Sequence, residues 1–407
     1  MRRRLDSAAR GVGLTPTLQP IVALPAGGIV GFEALARWPS LDNPSPTDVF
    51  AYAAATGQLD ALDQLCMDAA IRTALSLRLP HGTMLAINCE PESVYLLHHD
   101  AALARARDEL ALMFELTERN LLTHPQALLR KVAALRREGF LIALDDVGVH
   151  PDSLALLDVL APDVIKLDLQ LVQSRPSRDQ ARTLAAVMAH QERTGAMILA
   201  EGIENAEHLE QALALGAALG QGHKYTFPGP FDETGTWPPP AQPPPSRNGS
   251  GSPFELVAGD IPLRTAPKKT LNAFSRHIET QARYTADPPM VLAALQQAQY
   301  FTTVTQRRYL ALARSAPLVA IFGEHLPADL GAGIRGVHLD PTDPLRTEWI
   351  VLALGAQIAV ALIARERQSD SDPEQQSHDG ERRFDFTITH NRSLVTRVAH
   401  NLLARML

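Results

Sequence analysis

Between Leu18 and Tyr225 the chain alternates short apolar runs with longer stretches in which apolar residues return every three or four positions. The short runs are LQPIVAL (18–24), GIVGFEA (28–34), TMLAINC (83–89), LMFELTE (112–118), FLIALDD (140–146), DVIKLDL (163–169), AMILAEG (196–202) and ALGQGHKY (218–225). They predict strands, and stretches such as PQALLRKVAALRREG (125–139) and NAEHLEQALALG (205–216) predict helices. Strand followed by helix, repeated, implies a parallel sheet with helical crossovers. The number of runs suits an α/β fold of the TIM-like (β/α)8 barrel type. PAGG joins the first two runs as a hairpin-like turn, so one of these strands is expected to run antiparallel.

The pattern breaks at ETGTWPPPAQPPPSRNGSGSP, residues 233–253, where proline runs give stiffness and a Ser/Gly tail gives flexibility. This predicts a barrel over 1–232, a linker over 233–253 and a second α/β domain of sensory type over 254–407. In that domain MVLAALQQAQ (290–299) reads as helix, and APLVAIFG (316–323) and RFDFTIT (383–389) as strands. WIVLALGAQIAVALIA (349–364) reads as a buried helix, because Gln357 interrupts it and it falls short of the roughly 20 residues that span a bilayer. Residues 368–383 are polar and read as an exposed loop. Lys268 and Lys269 read as a solvated face, and Tyr300 and Phe301 as core.

Composition narrows the function. A net charge of −7 offers no general basic field, so DNA or RNA polymers are not expected partners, and any phosphate ligand must be held by metal ions or a few placed cations. Cys66 and Cys89 are the only cysteines, too few for a disulfide framework, and read as small buried hydrophobes in a reducing compartment. Arg2, Arg3 and Arg4 are followed by LDSAARGVG rather than an apolar segment, so a cytoplasmic location without membrane insertion is expected.

The polar residues Glu33, Asn88, Glu115, Asp145, Asp146, Lys166, Asp168, Glu201 and Gln221 each fall towards the C-terminal end of a predicted strand. In a barrel those ends converge on one mouth. Carboxylates and an amide, without histidine or thiolate, favour hard divalent cations such as Mg²⁺ or Mn²⁺. Adjacent Asp145 and Asp146 suit a pair of ions that clamp a phosphoryl group for in-line displacement.

From about Pro16 to Pro230 these residues sit in a series of motifs: EALAR (33–37), INCEPES (87–93), FELTER (114–119), LDDVG (144–148), IKLD (165–168), AEGIE (200–204) and GQG (220–222). In order and together, they resemble the EAL-domain family of cyclic di-GMP phosphodiesterases. The resemblance implies that Glu33, Asn88, Glu115 and Asp145 hold one metal ion and that Asp145 and Asp146 help hold a second. It makes Lys166 and Glu201, with Glu33, the catalytic set that orients or activates water. Arg37, Gln221 and Asp168 become substrate contacts, and Glu118 a loop anchor. It also implies a homodimer formed through the barrel. DDVGVHPDSL (145–154) departs from the family's usual DDFGTGYSSL-like loop, and His223 and Lys224 stand where an aromatic and an aliphatic residue are more usual. The C-terminal domain resembles DICT sensory domains, which implies an unidentified sensory ligand or protein partner. Three functions remain open: a phosphodiesterase releasing linear pGpG under sensory control, a catalytically inactive cyclic di-GMP receptor, and a protein-interaction module.

Overall fold

The computed structural model describes residues 2–93, 101–117, 121–149, 154–174, 176–225, 251–367 and 382–406. They fall into two units, one built from 2–149 with 161–225 and the other from 154–160 with 251–406. In the first, eight strands close into a barrel in sequence order: β1 (Thr17–Ala23), β2 (Ile29–Leu35), β3 (Thr83–Cys89), β4 (Leu110–Thr117), β5 (Leu141–Val147), β6 (Val164–Leu167), β7 (Met197–Ala200) and β8 (Leu219–Gly220). β1 runs antiparallel to both β2 and β8, and every other pair is parallel. The TIM-like barrel with one reversed strand is therefore what the chain forms. Its helices are α1 (Arg2–Ala9), α2 (Pro46–Ala55), α3 (Leu59–Ser76), α4 (Ala101–Glu109), α5 (Pro125–Arg137), α7 (Leu169–Gln173), α8 (Arg178–Thr194) and α9 (Ala206–Ala214), while α6 (Leu157–Leu160) belongs to the second unit.

The barrel's interior explains where the site lies. Met84 and Ala86 on β3, Met113 on β4, Ala143 on β5, Val164 on β6, Met197 and Leu199 on β7 and Leu219 on β8 make one buried apolar cluster. Side chains on a strand return to the same face every second residue. One further step along that face reaches Asn88, Glu115, Asp145, Lys166, Glu201 and Gln221. Apolar packing thus fills one end of the barrel and hands over to polar groups at the strands' C-terminal ends.

The second unit has a seven-stranded sheet of β9 (Arg264–Pro267), β10 (Met290–Gln297), β11 (Val319–Glu324), β12 (Ile334–His338), β13 (Glu348–Leu354), β14 (Ala359–Glu366) and β15 (Arg383–Thr389), in the order β12-β11-β10-β13-β14-β15-β9. With it are α10 (Pro253–Ala258), α11 (Lys268–Tyr284), α12 (Thr303–Leu312) and α13 (Arg392–Leu403). Two expectations are corrected here. Residues 349–364 are not a helix but the hairpin of β13 and β14, with Trp349 opposite Ala364 and Leu354 opposite Ala359. Residues 290–297 are likewise strand β10. The reason is burial on both faces. Val291, Val319, Ala353 and Val360 pack into a cluster with Leu271 and Ile278 of α11, while the alternate residues Leu292, Ala320, Leu352 and Ala361 are equally buried. A strand covered on both sides loses the apolar/polar alternation that marks it in sequence.

Gly251 and Ser252 are described, and Ser252 forms a capping box with Glu255 at the start of α10. Most of the proline-rich linker and the polar stretch 368–381 lie outside the described residues. Among the described residues no helix is long and apolar enough to cross a membrane.

Candidate functional site

Lys166 is the centre of the barrel mouth. Its ammonium lies 2.8 Å from Asp145 Oδ1, 3.0 Å from Glu115 Oε2, 3.0 Å from Glu201 Oε1 and 3.4 Å from Glu33 Oε2. Four strand ends therefore converge on one cation that is only 1% exposed. Asn88 Nδ2 donates to Glu33 Oε1 at 3.1 Å and Gln221 Nε2 donates to Glu33 Oε2 at 3.0 Å, so Glu33 is held on both oxygens.

Protonation follows from this crowding. Burial pushes Glu33 up, but the Lys166 charge and the two amide hydrogen bonds outweigh it, and Glu33 stays below the usual carboxylate range. Glu115 is raised well above that range by burial and by the Glu33 charge, against the pull of Lys166. Burial also lifts Glu201 to about 7, with Lys166 opposing it and Asp145 and Glu33 adding to it. Burial disfavours the Lys166 ammonium, yet the four carboxylates hold it well above the ordinary lysine value. Glu115 Oε1 is buried and has no hydrogen-bond donor among the described residues, and Gln221 Oε1 shares that condition. One ammonium does not balance four carboxylates, and the all-oxygen donor set fits a hard divalent cation.

Asp145 and Asp146 should point to opposite faces of β5, since they are neighbours on a strand. The ladder between β5 and β6 instead shifts register between Leu144 and Val147, and Asp146 adopts a left-handed backbone with φ 57°. This bulge brings ligand atoms of Asp145, Asp146 and Glu201 within 4.8 Å of one another. An L-residue held at such φ stores strain, which structures keep where a side chain has to be aimed. Gly148 follows at φ 114°, and a Cβ there would lie 2.5 Å from Leu171, so the turn out of the bulge admits no side chain.

A cavity of about 570 Å³ opens beside this group, lined by Glu33, Arg37, Asn88, Asp145, Asp146 and Glu201 among others. Arg37 is half-buried there, with Nη1 donating to the Ala36 carbonyl at 2.9 Å. Asp168 caps α7 by accepting from the Gln170 N–H at 2.9 Å, and it is not among the described residues that line the cavity. Glu118, His150 and Pro151 lie outside the described residues. His223 is exposed and 3.4 Å from Glu204. The sequence reading missed a set of residues beside the cavity, the buried Asp63, Ser93 and Lys131 with the half-buried Glu90. The signal was present for Lys131, which shares the apolar face of α5 with Leu128 and Leu135.

Residues 2–227, more than half of the chain, match the EAL domain family, and the chain belongs to that family. Residues 258–367 match the family described as a sensory domain in diguanylate cyclases and two-component systems. Cyclic di-GMP phosphodiesterase RocR of Pseudomonas aeruginosa is 31% identical over 226 residues, which are 52% of this chain and 56% of that protein. Probable cyclic di-GMP phosphodiesterase PdeG of Escherichia coli is 30% identical over 207 residues, 48% of this chain and 41% of PdeG. An uncharacterized protein of Azorhizobium caulinodans is 30% identical over 260 residues, 58% of this chain and 35% of its own. The chain thus spans between 35% and 56% of the length of these relatives. Among solved structures, the manganese/cyclic di-GMP complex of BlrP1 from Klebsiella pneumoniae is 31% identical with a TM-score of 0.45, covering 52% of this chain and 55% of that one.

Proposed function

We propose that the barrel hydrolyses cyclic di-GMP to linear pGpG with the help of divalent metal ions, and that the second unit supplies sensory control. The observation that carries this reading is the convergence of Glu33, Glu115, Asp145 and Glu201 on Lys166, beside a cavity that also presents Asp146, Asn88 and Arg37. Family membership and relatives named as cyclic di-GMP phosphodiesterases supply the substrate.

Glu33, Asn88, Glu115 and Asp145 would hold one Mg²⁺ or Mn²⁺, and Asp145 and Asp146 a second, supplying Lewis-acid polarisation of the phosphodiester and of water. The remaining work belongs to the chain's own groups. Asn88 and Gln221 fix the carboxylate of Glu33 through its two oxygens. Lys166 keeps four carboxylates together that would otherwise repel one another. Arg37 offers a guanidinium fork to phosphate oxygens in a mouth too acidic to attract them unaided. Glu201, with its proton affinity lifted to about 7, is matched to take a proton from water near neutral pH. In the step itself the water oxygen bonds to phosphorus and the bond from phosphorus to the 3′ oxygen breaks. The water proton passes to Glu201 and on through solvent to the departing 3′ oxygen, which becomes a hydroxyl, so that Glu201 is returned to its carboxylate form.

Incubation of the protein with cyclic di-GMP and Mn²⁺, followed by chromatography, should yield pGpG and should yield none after chelation. Tight binding without product would instead identify a receptor, and neither binding nor product would leave an interaction module.

A further inference from the structure

The cavity beside the carboxylate cluster continues along Cys89, Glu90, Pro91 and Glu92, and its wall includes Phe50 of α2 and Cys66 of α3. Glu90 is held there by its backbone at both ends. Its N–H donates to Asp63 Oδ1 at 3.2 Å, and its carbonyl accepts from the Lys131 ammonium. Ser93 closes the cradle: its hydroxyl donates to Asp63 Oδ2 and accepts from Lys131 Nζ at 2.7 Å. Asp63, Lys131 and Ser93 are 1%, 3% and 4% exposed. Asp63 and Lys131 are thus linked through the Ser93 hydroxyl and the Glu90 backbone, and together they immobilise one residue of the cavity wall.

Glu33, Asp145 and Glu201 are committed to Lys166, and Glu92 is exposed. Glu90 is half-buried, and among the described residues its carboxylate takes no hydrogen bond or ion pair. A carboxylate is acceptor-only and takes two parallel donors, as it does from an arginine fork. The pairing edge of guanine offers such donors side by side, the N1–H and the 2-amino group, whereas adenine places an acceptor at N1. We propose that Glu90 is a specificity-determining residue that accepts from this edge of one guanine, and that Asp63 and Lys131 are positioning residues acting through it. The assignment rests on the reading of the barrel as a cyclic di-GMP site.

The test is calorimetric titration of the full chain in Ca²⁺, with cyclic di-GMP and with its inosine counterpart, which lacks the 2-amino group. The wild type should prefer the guanine ligand by roughly ten- to hundredfold. Glu90→Ala should remove that preference, chiefly by weakening the guanine ligand. Lys131→Met should lower the preference too, and the double variant should be no worse than Glu90→Ala alone. If Lys131→Met fails to fold by circular dichroism, Ser93→Ala, which removes one link of the cradle without deleting a charge, takes its place. Retention of the full preference by Glu90→Ala overturns the assignment. A wild type that binds neither ligand overturns the functional reading itself.

Discussion

Lys166 is shared by four carboxylates within 3.4 Å. Removing one partner of a buried ion pair costs about 3–5 kcal/mol, because the other is left uncompensated. Lys166→Met should therefore lower the melting temperature sharply in chelator and recover part of the loss when Mn²⁺ is added. An equal loss with and without the ion would show that Lys166 and the cations do not share these carboxylates. Glu33→Ala should also destabilise the chelated fold, since it leaves Lys166, Asn88 and Gln221 without a partner they hold in its charged form, and turnover of Glu33→Ala and of Asp145→Ala should fall by about 10²-fold or more, the scale seen when one preorganised electrostatic partner is lost. Near-normal turnover in either variant would remove that residue from the machinery and contradict the two-metal assignment. At this scale the sequence was informative because polar residues interrupt an every-second-residue apolar register at one strand end after another. It could not show that Asp146 needs a left-handed backbone to reach the same mouth as Asp145, nor that Asp168 would cap a helix.

For the elements, legibility followed burial. The barrel strands stood out because helices with one apolar face separate them, and the PAGG turn gave away the reversed strand. β13 and β14 were hidden, since both of their faces are covered and the run from Trp349 to Ala364 shows neither strand nor helix period. The hairpin makes a sharp prediction. Ile363 is fully buried on β14, so Ile363→Lys should cost several kcal/mol, the scale of an unpaired buried charge, whereas Gln357, exposed in the turn, should tolerate lysine within about 0.5 kcal/mol. Denaturant midpoints of the two variants check this, and a large loss at Gln357 would contradict the turn.

For the whole molecule, the proposed metal site should make stability depend on both pH and added cations. In chelator, Glu201 and Glu115 have folded proton affinities above their unfolded ones, so the folded state holds protons that the unfolded chain releases. Their contribution is full below the ordinary carboxylate range and is lost as pH rises through about 7 for Glu201. Glu33, held low, loses its contribution only at acid pH, and Lys166 stays charged throughout this window. Cations need the deprotonated carboxylates, so their stabilisation should grow over the same interval. The rise in melting temperature on adding Mn²⁺ should be larger at about pH 8 than at about pH 6. A rise independent of pH would mean that the ions bind elsewhere.

The central claim is that this mouth adds water across a phosphodiester of cyclic di-GMP, and the most direct measurement is mass spectrometry of the reaction run in ¹⁸O-water with Mn²⁺. The account predicts pGpG bearing one ¹⁸O on its terminal phosphate, formed by the wild type and not by Glu33→Ala. Recovery of intact cyclic di-GMP from a protein that binds it, or a product without the label, would contradict it.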